Sequence, residues 1–210
     1  GCSGSVNGPG AACSGYLLQA DGERPVLVDC GHGVFGELQA HADPREVAVL
    51  LSHLHADHCL DLPAMLVWRR WAPGGPGERS LLFGPAGTAT RIGAASSEYP
   101  GQVEDISDTY EVHEWSDRQP VQVHGLTVEP FKVAHPPATF GLRITGPEGQ
   151  VLVYSGDTGI CDEAVELARD ADLFLCEATW THDPSCRPEG LHLSGTEAGR
   201  IAARAGARSL

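Results

Sequence analysis

Seven cysteines are scattered over the 210 residues, at 2, 13, 30, 59, 161, 176 and 186, and no C-x-x-C pair occurs. An odd, unpaired set of this kind reads as reduced thiols in a cytoplasmic protein. No apolar run approaches the ~20 residues that span a bilayer, and neither a secretory leader nor a tail anchor is visible. The chain starts at Gly1 rather than Met and stops just inside an apolar segment, so trimming is expected at both ends. Positive charge is scarce as well. Thirteen Arg and one Lys face 28 acidic residues, giving a formal charge of −14 and a pI near 5.0. This argues against docking along a phosphate backbone, where clustered Lys and Arg supply most of the affinity. A small phosphate-bearing ligand stays open, because bound cations reverse a local potential. There is no internal repeat and no disordered linker. With 41% apolar residues, residues 1–210 are expected to form a single domain around one core.

Apolar runs and turn signals alternate along the chain. "YLLQA" and "PVLVDC" read as strands joined by the turn "DGER". "VFGELQAH" has helical spacing, and "VAVLL" is a short, continuously apolar run typical of a buried strand. "LPAMLVWRRW" reads as a helix stopped by the Pro/Gly-rich "APGGPGE". Further strands are expected at "SLLFG", "VQVHG", "LTVEPFKV", "TFGLRIT", "VLVYS" and "ADLFLCE", and helices near 85–95, 161–169 and 195–205. The acidic stretch 98–117 reads as a solvated face. Ser194 and Glu197 have capping-box spacing at the start of the last helix, and Gly206 is a natural stop. The pattern is an α/β domain with mixed sheets.

The chemistry concentrates in "SHLHADHCLD", residues 52–61, directly after "VAVLL". A solvated loop would be the bland reading of so many ionisable groups. A metal site is the sharper one, because borderline metals favour imidazole nitrogen and carboxylate oxygen. In H-x-H-x-D-H, His53 and His55 converge if the segment leaves the strand extended, and Asp57 and His58 then turn to a second point. One loop can start two sites this way but complete neither. Each of His135, Asp157 and His192 follows an apolar run or a turn at a similar place. Singly, each is the sort of residue found on any surface loop. As a set with H-x-H-x-D-H they are rarely a coincidence.

These residues, quoted as "SHLHADH", "VAHPPATFGLRI", "YSGDTG" and "LHLSGTEAG", resemble the metallo-β-lactamase superfamily over almost the whole chain. The resemblance implies an αββα sandwich of two mixed β-sheets flanked by helices. It implies two divalent metal ions, zinc foremost and manganese or iron as alternatives. His53, His55 and His135 would hold the first, Asp57, His58 and His192 the second, and Asp157 would bridge them. Two metals about 3.5–4 Å apart activate a water at neutral pH and neutralise charge growing on a phosphoryl or carbonyl oxygen. Asp57 would then orient that water as well as bind metal. Of the remaining residues, His182 in "TWTHDP" is a candidate to protonate the leaving oxygen or contact substrate, against a plain surface loop. Glu177 and Asp29 are candidates to orient a ligand histidine. His32 reads equally as a neighbour of the metals or as a turn histidine, and Cys59 as packing or a support of the ligands. Arg69 and Arg70 are in position to reach a phosphate, yet arginines paired on a helix more often face solvent. His41, His113 and His124 have no assigned role. Asp61 reads as a cap of the following helix.

The fold hosts many reactions, so it does not decide the substrate. "FGLRI", "SGDTG" and "CEATW" look most like the branch containing ribonuclease Z, the tRNA 3′-end endonuclease. That enzyme carries a long Gly/Pro-rich arm between its third histidine and its bridging aspartate; here the interval is 22 positions. Its H-E-A-T motif appears as "CEAT", its P-x-K-x-R-N motif has no counterpart, and the surface is acidic. "GCSGS", "HADP", "LLSHLHADHCLDLP", "GAASS", "SGDTGICD" and "LCEATWTH" are more similar to actinobacterial relatives of atypical class II cyclic-nucleotide phosphodiesterases. That resemblance implies hydrolysis of 3′,5′-cyclic AMP to AMP. The expected partner is a small-molecule phosphodiester rather than nucleic acid or a membrane, with a homodimer as the accompanying assembly. The alternatives are ribonuclease Z-like tRNA processing and a catalytically silent metal-binding regulator. A flavin-linked di-iron reductase is disfavoured, because those relatives carry Glu where His55 stands.

Overall fold

The computed structural model describes residues 3–181, 188 and 190–210. The chain divides into two compact units, residues 1–115 and 116–210, and each carries its own five-stranded mixed sheet.

In the first unit the strands are β1 (Tyr16–Leu18), β2 (Val26–Val28), β3 (Ala48–Leu50), β4 (Ser80–Gly84) and β5 (Tyr110–Glu114), paired in that order. β1 runs antiparallel to β2, and the remaining neighbours are parallel. Val26–Val28 and Ala48–Leu50 are buried throughout, as parallel strands covered on both faces must be. The helices are α1 (Val34–Leu38), α2 (Ala56–Cys59), α3 (Leu62–Trp71) and α4 (Thr88–Ser96). Leu27, Val49, Leu82 and Tyr110 from the strands pack with Val34, Leu38, Leu62, Met65, Leu66 and Ile92 from the helices. Full burial of each such aliphatic side chain contributes about 1.5–3 kcal/mol.

α3 shows how the sequence encodes this packing. Leu62, Met65, Leu66 and Arg69 recur at helical spacing and form its buried stripe. Arg69 is the surprise, since the sequence suggested a solvent-facing arginine. It is 0% exposed, donating from Nη1 to the Pro44 carbonyl at 2.6 Å and from Nη2 to the Glu78 carbonyl at 2.5 Å. Its guanidinium therefore ties α3 to two loops and is unavailable to a phosphate. Arg70 is committed too, with Nε and Nη2 each 2.8 Å from an Asp108 carboxylate oxygen and Nη1 bonded to Glu104. Asp61 precedes α3 but makes no side-chain cap; its Oδ2 instead accepts from Phe35 N at 2.9 Å, fastening α1.

The acidic stretch presents its carboxylates to solvent as expected, but it also contains a strand that the sequence reading left out. Residues 110–114 form β5, whose Tyr110 is buried while Glu114 is exposed. Its burial falls from Tyr110 to Glu114, so no in–out alternation marks it as a strand.

The second unit holds β6 (Val121–Val123), β7 (Leu126–Val133), β8 (Thr139–Thr145), β9 (Val151–Tyr154) and β10 (Leu173–Leu175), in the order β10-β9-β8-β7-β6. Only β9 and β10 pair in parallel. α5 (Asp162–Leu167) and α6 (Gly195–Ala205) bury Leu167, Ile201 and Ala202 with Phe131, Val153 and Phe174. The expected capping box is present: Ser194 N donates to Glu197 Oε2 at 2.8 Å while Glu197 N donates to Ser194 Oγ. Gly206 closes α6 in the left-handed conformation, φ 72°.

Candidate metal centre

In each unit the carboxyl ends of two adjacent parallel strands carry part of the candidate site, the usual place in an α/β sheet, while in the second unit His135 follows β7 and His192 lies in the loop before α6. In the first unit the strands are β2 and β3. Val28 pairs with Leu50, so Asp29 and the 51–58 loop emerge side by side, with Asp29 N donating to the Leu50 carbonyl at 2.8 Å. His53 lies three residues past β3, and His55, in extended backbone (φ −65°, ψ 154°), sits just before α2. That extension brings His53 Nε2 within 3.0 Å of His55 Nδ1, which is the convergence the i, i+2 spacing predicts. α2 then turns Asp57 and His58 together, with Asp57 Oδ2 3.5 Å from His58 Nε2. The His53 and His58 ring centroids lie 4.1 Å apart. His53 and His58 are buried, and Asp57 and His55 are partly exposed.

Two buried side chains hold this loop from behind. Asp29 accepts from Ser52 N (2.7 Å), Ser52 Oγ (2.8 Å) and His58 Nδ1 (2.7 Å). Ser52 Oγ is also 3.1 Å from His53 Nδ1. Asp29 thus contacts one of the candidate ligands, His58, whereas Ser52 has no role in the sequence reading. Its only signal was its place, immediately before His53. Cys59 is a buried supporting group: burial pushes its thiol up to about 12, and Sγ lies 3.6 Å from the Leu54 carbonyl between the candidate ligands His53 and His55.

The second unit repeats the plan with β9 and β10. Tyr154 pairs with Leu175, and Ser155 N donates to the Leu175 carbonyl at 3.0 Å, so Asp157 and Glu177 emerge as neighbours. Ligand atoms of Asp157, Glu177 and His192 lie within 4.8 Å of one another. Asp157 Oδ2 is 4.0 Å from His135 Nε2 and 3.9 Å from His192 Nδ1. His135 donates from Nδ1 to the Leu191 carbonyl at 2.8 Å, which leaves Nε2 with its lone pair. His192 donates from Nδ1 to Glu177 Oε1 at 3.0 Å, with the same result.

Glu177 is itself fixed by Thr158 N (2.7 Å), Thr179 Oγ1 (2.9 Å) and Leu193 N (3.2 Å). With that many donors it acts as an anchor for His192 rather than as a spare ligand. Glu177→Gln keeps the size but loses the charge, and is expected to weaken metal affinity about 10–100-fold in a chelator-competition titration. Unchanged affinity would remove Glu177 from the account. Trp180 adds an aromatic edge to the His192 ring at 6.1 Å, a contact the sequence did not announce. His182 lies outside the described residues. The His32 carbonyl accepts from Cys13 N at 2.9 Å, which suits a turn residue. His113 pairs with Glu111 at 3.1 Å and stacks on Phe83.

The donor chemistry suits divalent metal. His53, His135, His58 and His192 each have Nδ1 against a protein oxygen, the arrangement that turns Nε2 toward an ion. Sheet order and helix placement define the class as a metallo-β-lactamase fold. Superposition on the crystal structure of YhfI from Bacillus subtilis has a TM-score of 0.83 at 27% identity, covering 99% of this chain and 81% of that one.

Residues 24–210 match the family model described as the beta-lactamase superfamily domain, and the chain belongs to that family. It is 60% identical over 210 residues to the uncharacterized protein Rv1339 of Mycobacterium tuberculosis (strain ATCC 25618 / H37Rv), covering all of this chain and 77% of that protein. It is 31% identical over 218 residues to the "Probable metallo-hydrolase YhfI" of B. subtilis (strain 168), covering 100% and 82%. Ribonuclease Z of Kineococcus radiotolerans is 31% identical over 246 residues, covering 94% and 76%. The chain is accordingly a metal-dependent hydrolase. No helix among the described residues is long and apolar enough to cross a membrane.

Proposed function

We propose that the chain is a binuclear metal-dependent phosphodiesterase acting on a small phosphodiester, 3′,5′-cyclic AMP to AMP. The ligand assignment follows the family's motif order: His53, His55 and His135 for one ion, Asp57, His58 and His192 for the other, and Asp157 shared. Zinc suits these donors best, with manganese or iron as alternatives. Two such ions would supply an activated water and charge neutralisation at the phosphoryl oxygens. The chain's own residues do the rest. His53 and His58 are held by buried partners, Glu177 fixes His192, and Asp57 would orient the attacking water.

The observation that carries the substrate reading is the segment between His135 and Asp157. β8, a turn at 146–150 and β9 use up almost all of it as one antiparallel hairpin, Leu142 opposite Tyr154 through Thr145 opposite Val151. No length is left for a tRNA-gripping arm, and the charge of −14 opposes nucleic acid further. A small anionic ester needs two cations and a pocket, not a basic surface. The 31% identity to a ribonuclease Z keeps tRNA cleavage as the second reading.

The discriminating experiment assays the metal-reconstituted protein against cyclic AMP, cyclic GMP, bis(p-nitrophenyl) phosphate and precursor tRNA. Hydrolysis of the small diesters with intact tRNA is the expected result. Cleavage of tRNA without turnover of cyclic nucleotides would overturn the substrate, and no turnover of any of them would favour the silent regulator.

A further inference from the structure

Three loops of the second unit meet at His135, Asp157 and His192, and each leaves apolar side chains wholly or partly in solvent beside its ligand candidate. Gly159 N donates to the Ala134 carbonyl at 2.7 Å, so the 157–160 turn lies along the 134–138 segment. The Leu191 carbonyl accepts from His135 Nδ1 at 2.8 Å, which brings the residues before His192 to the same place. Gly159 also approaches Gly190 so closely that a Cβ there would stand 2.4 Å from the Gly190 backbone. On this junction Pro136, Pro137 and Ala138 are exposed, Ile160 is 59% exposed, and Leu191 is half-buried.

Single apolar side chains scattered over a surface call for no explanation. These five are not scattered. Each stands within three residues of a ligand candidate, and the hydrogen bonds to Ala134 and Leu191 tie their loops together. The loops are also stiff. Pro136 and Pro137 have restricted φ, and Thr139 Oγ1 donates to the Pro137 carbonyl at 3.0 Å. Two residues before Ile160, Thr158 N donates to Glu177 Oε1 at 2.7 Å. An apolar surface fixed in advance loses little entropy when it is covered. It is too small for a protein partner, which needs about 800 Å² on each side. A cyclic nucleotide matches it better: its one charge lies on the phosphate, and its base is flat, uncharged and apolar on both faces.

We propose that Pro136, Pro137, Ala138, Ile160 and Leu191 form a shelf for the nucleobase of the substrate, next to the His135, Asp157 and His192 end that takes its phosphate. The shelf rests on the phosphodiesterase reading and deepens it, because it makes the enzyme prefer nucleotides over diesters that carry no base. Ile160 is the largest of the five side chains left in solvent, so its loss removes the most contact. It touches the base and not the reacting phosphate. Its effect therefore falls on selectivity between substrates, through binding, rather than on the chemical step.

The test compares 3′,5′-cyclic AMP with ribose 3′,5′-cyclic phosphate, which keeps the cyclic diester and lacks the base, on metal-reconstituted wild type, Ile160→Ser and Ile160→Leu. Wild type should favour cyclic AMP in kcat/KM. Ile160→Ser should cut that preference about tenfold, chiefly through KM for cyclic AMP, and Ile160→Leu should keep most of it. A merely structural role would change both substrates alike. Binding is read separately by ¹³C-methyl NMR of the metal-free protein, where millimolar adenosine should shift the Ile160 δ1 methyl and ribose should not. Equal wild-type activity on the two cyclic phosphates, an unchanged preference in Ile160→Ser, or an Ile160 methyl unmoved by adenosine overturns the shelf. If wild type turns over neither substrate, the phosphodiesterase reading fails instead, and the adenosine spectra still decide the shelf.

Discussion

Asp157→Ala is expected to lower kcat/KM for phosphodiester hydrolysis by at least ~10³-fold, about 4 kcal/mol of transition-state stabilisation. The residue sits at the exit of β9, its Oδ2 about equally far from His135 Nε2 (4.0 Å) and His192 Nδ1 (3.9 Å). As the proposed shared ligand, its loss would weaken both ions and the geometry between them, so added metal should not restore the rate. Stability should change much less, because the side chain lies in a loop and is partly exposed. Steady-state kinetics at saturating metal, paired with a thermal melt, separates the two effects. A variant with more than about a tenth of wild-type activity would refute the shared-ligand assignment.

Gly31→Ala should have the largest effect on stability. A Cβ built at Gly31 would stand 1.7 Å from the Asp57 carbonyl oxygen and 2.8 Å from Cys13 Cβ. The first of these is backbone, and that backbone is doubly tethered: Cys30 N donates to the His58 carbonyl at 2.7 Å and Asp61 N to the Cys30 carbonyl at 3.0 Å. Nothing flexible can yield, so the 30–31 turn and α2 must part. The expected loss exceeds ~4 kcal/mol, outside the range of most single substitutions. For a chain of this size that lowers Tm by roughly 10 °C. Soluble protein should also lose metal affinity, since α2 carries Asp57 and His58. A melting point within about 2 °C of wild type would show the close approach to be wrong.

What the sequence revealed, and what it hid, divides along a physical line. Features written locally were legible. The i, i+2 histidines converge as their spacing says, α3 follows its apolar periodicity, and α6 starts and stops at its caps. His135 and Asp157 were legible because each follows an apolar run, and His192 because it follows a turn just before a capped helix. Features that depend on a distant partner were not. Arg69 is buried because Pro44 and Glu78 present carbonyls to it, and no pattern within α3 foretells them. β5 needed β4 beside it to become a strand. Ser52 stood in plain view inside the motif, but its role exists only because β2 and β3 are parallel neighbours and bring Asp29 beneath it. The same parallel register at β9 and β10 sets Glu177 beneath His192.

The most direct test of the binuclear account is a metal titration of chelator-stripped protein, following bound metal and bis(p-nitrophenyl) phosphate hydrolysis in the same samples. The account predicts background rates without metal and full activity only as the second ion per chain is bound. Full activity in the stripped protein, or a maximum reached with a single ion bound, would contradict it.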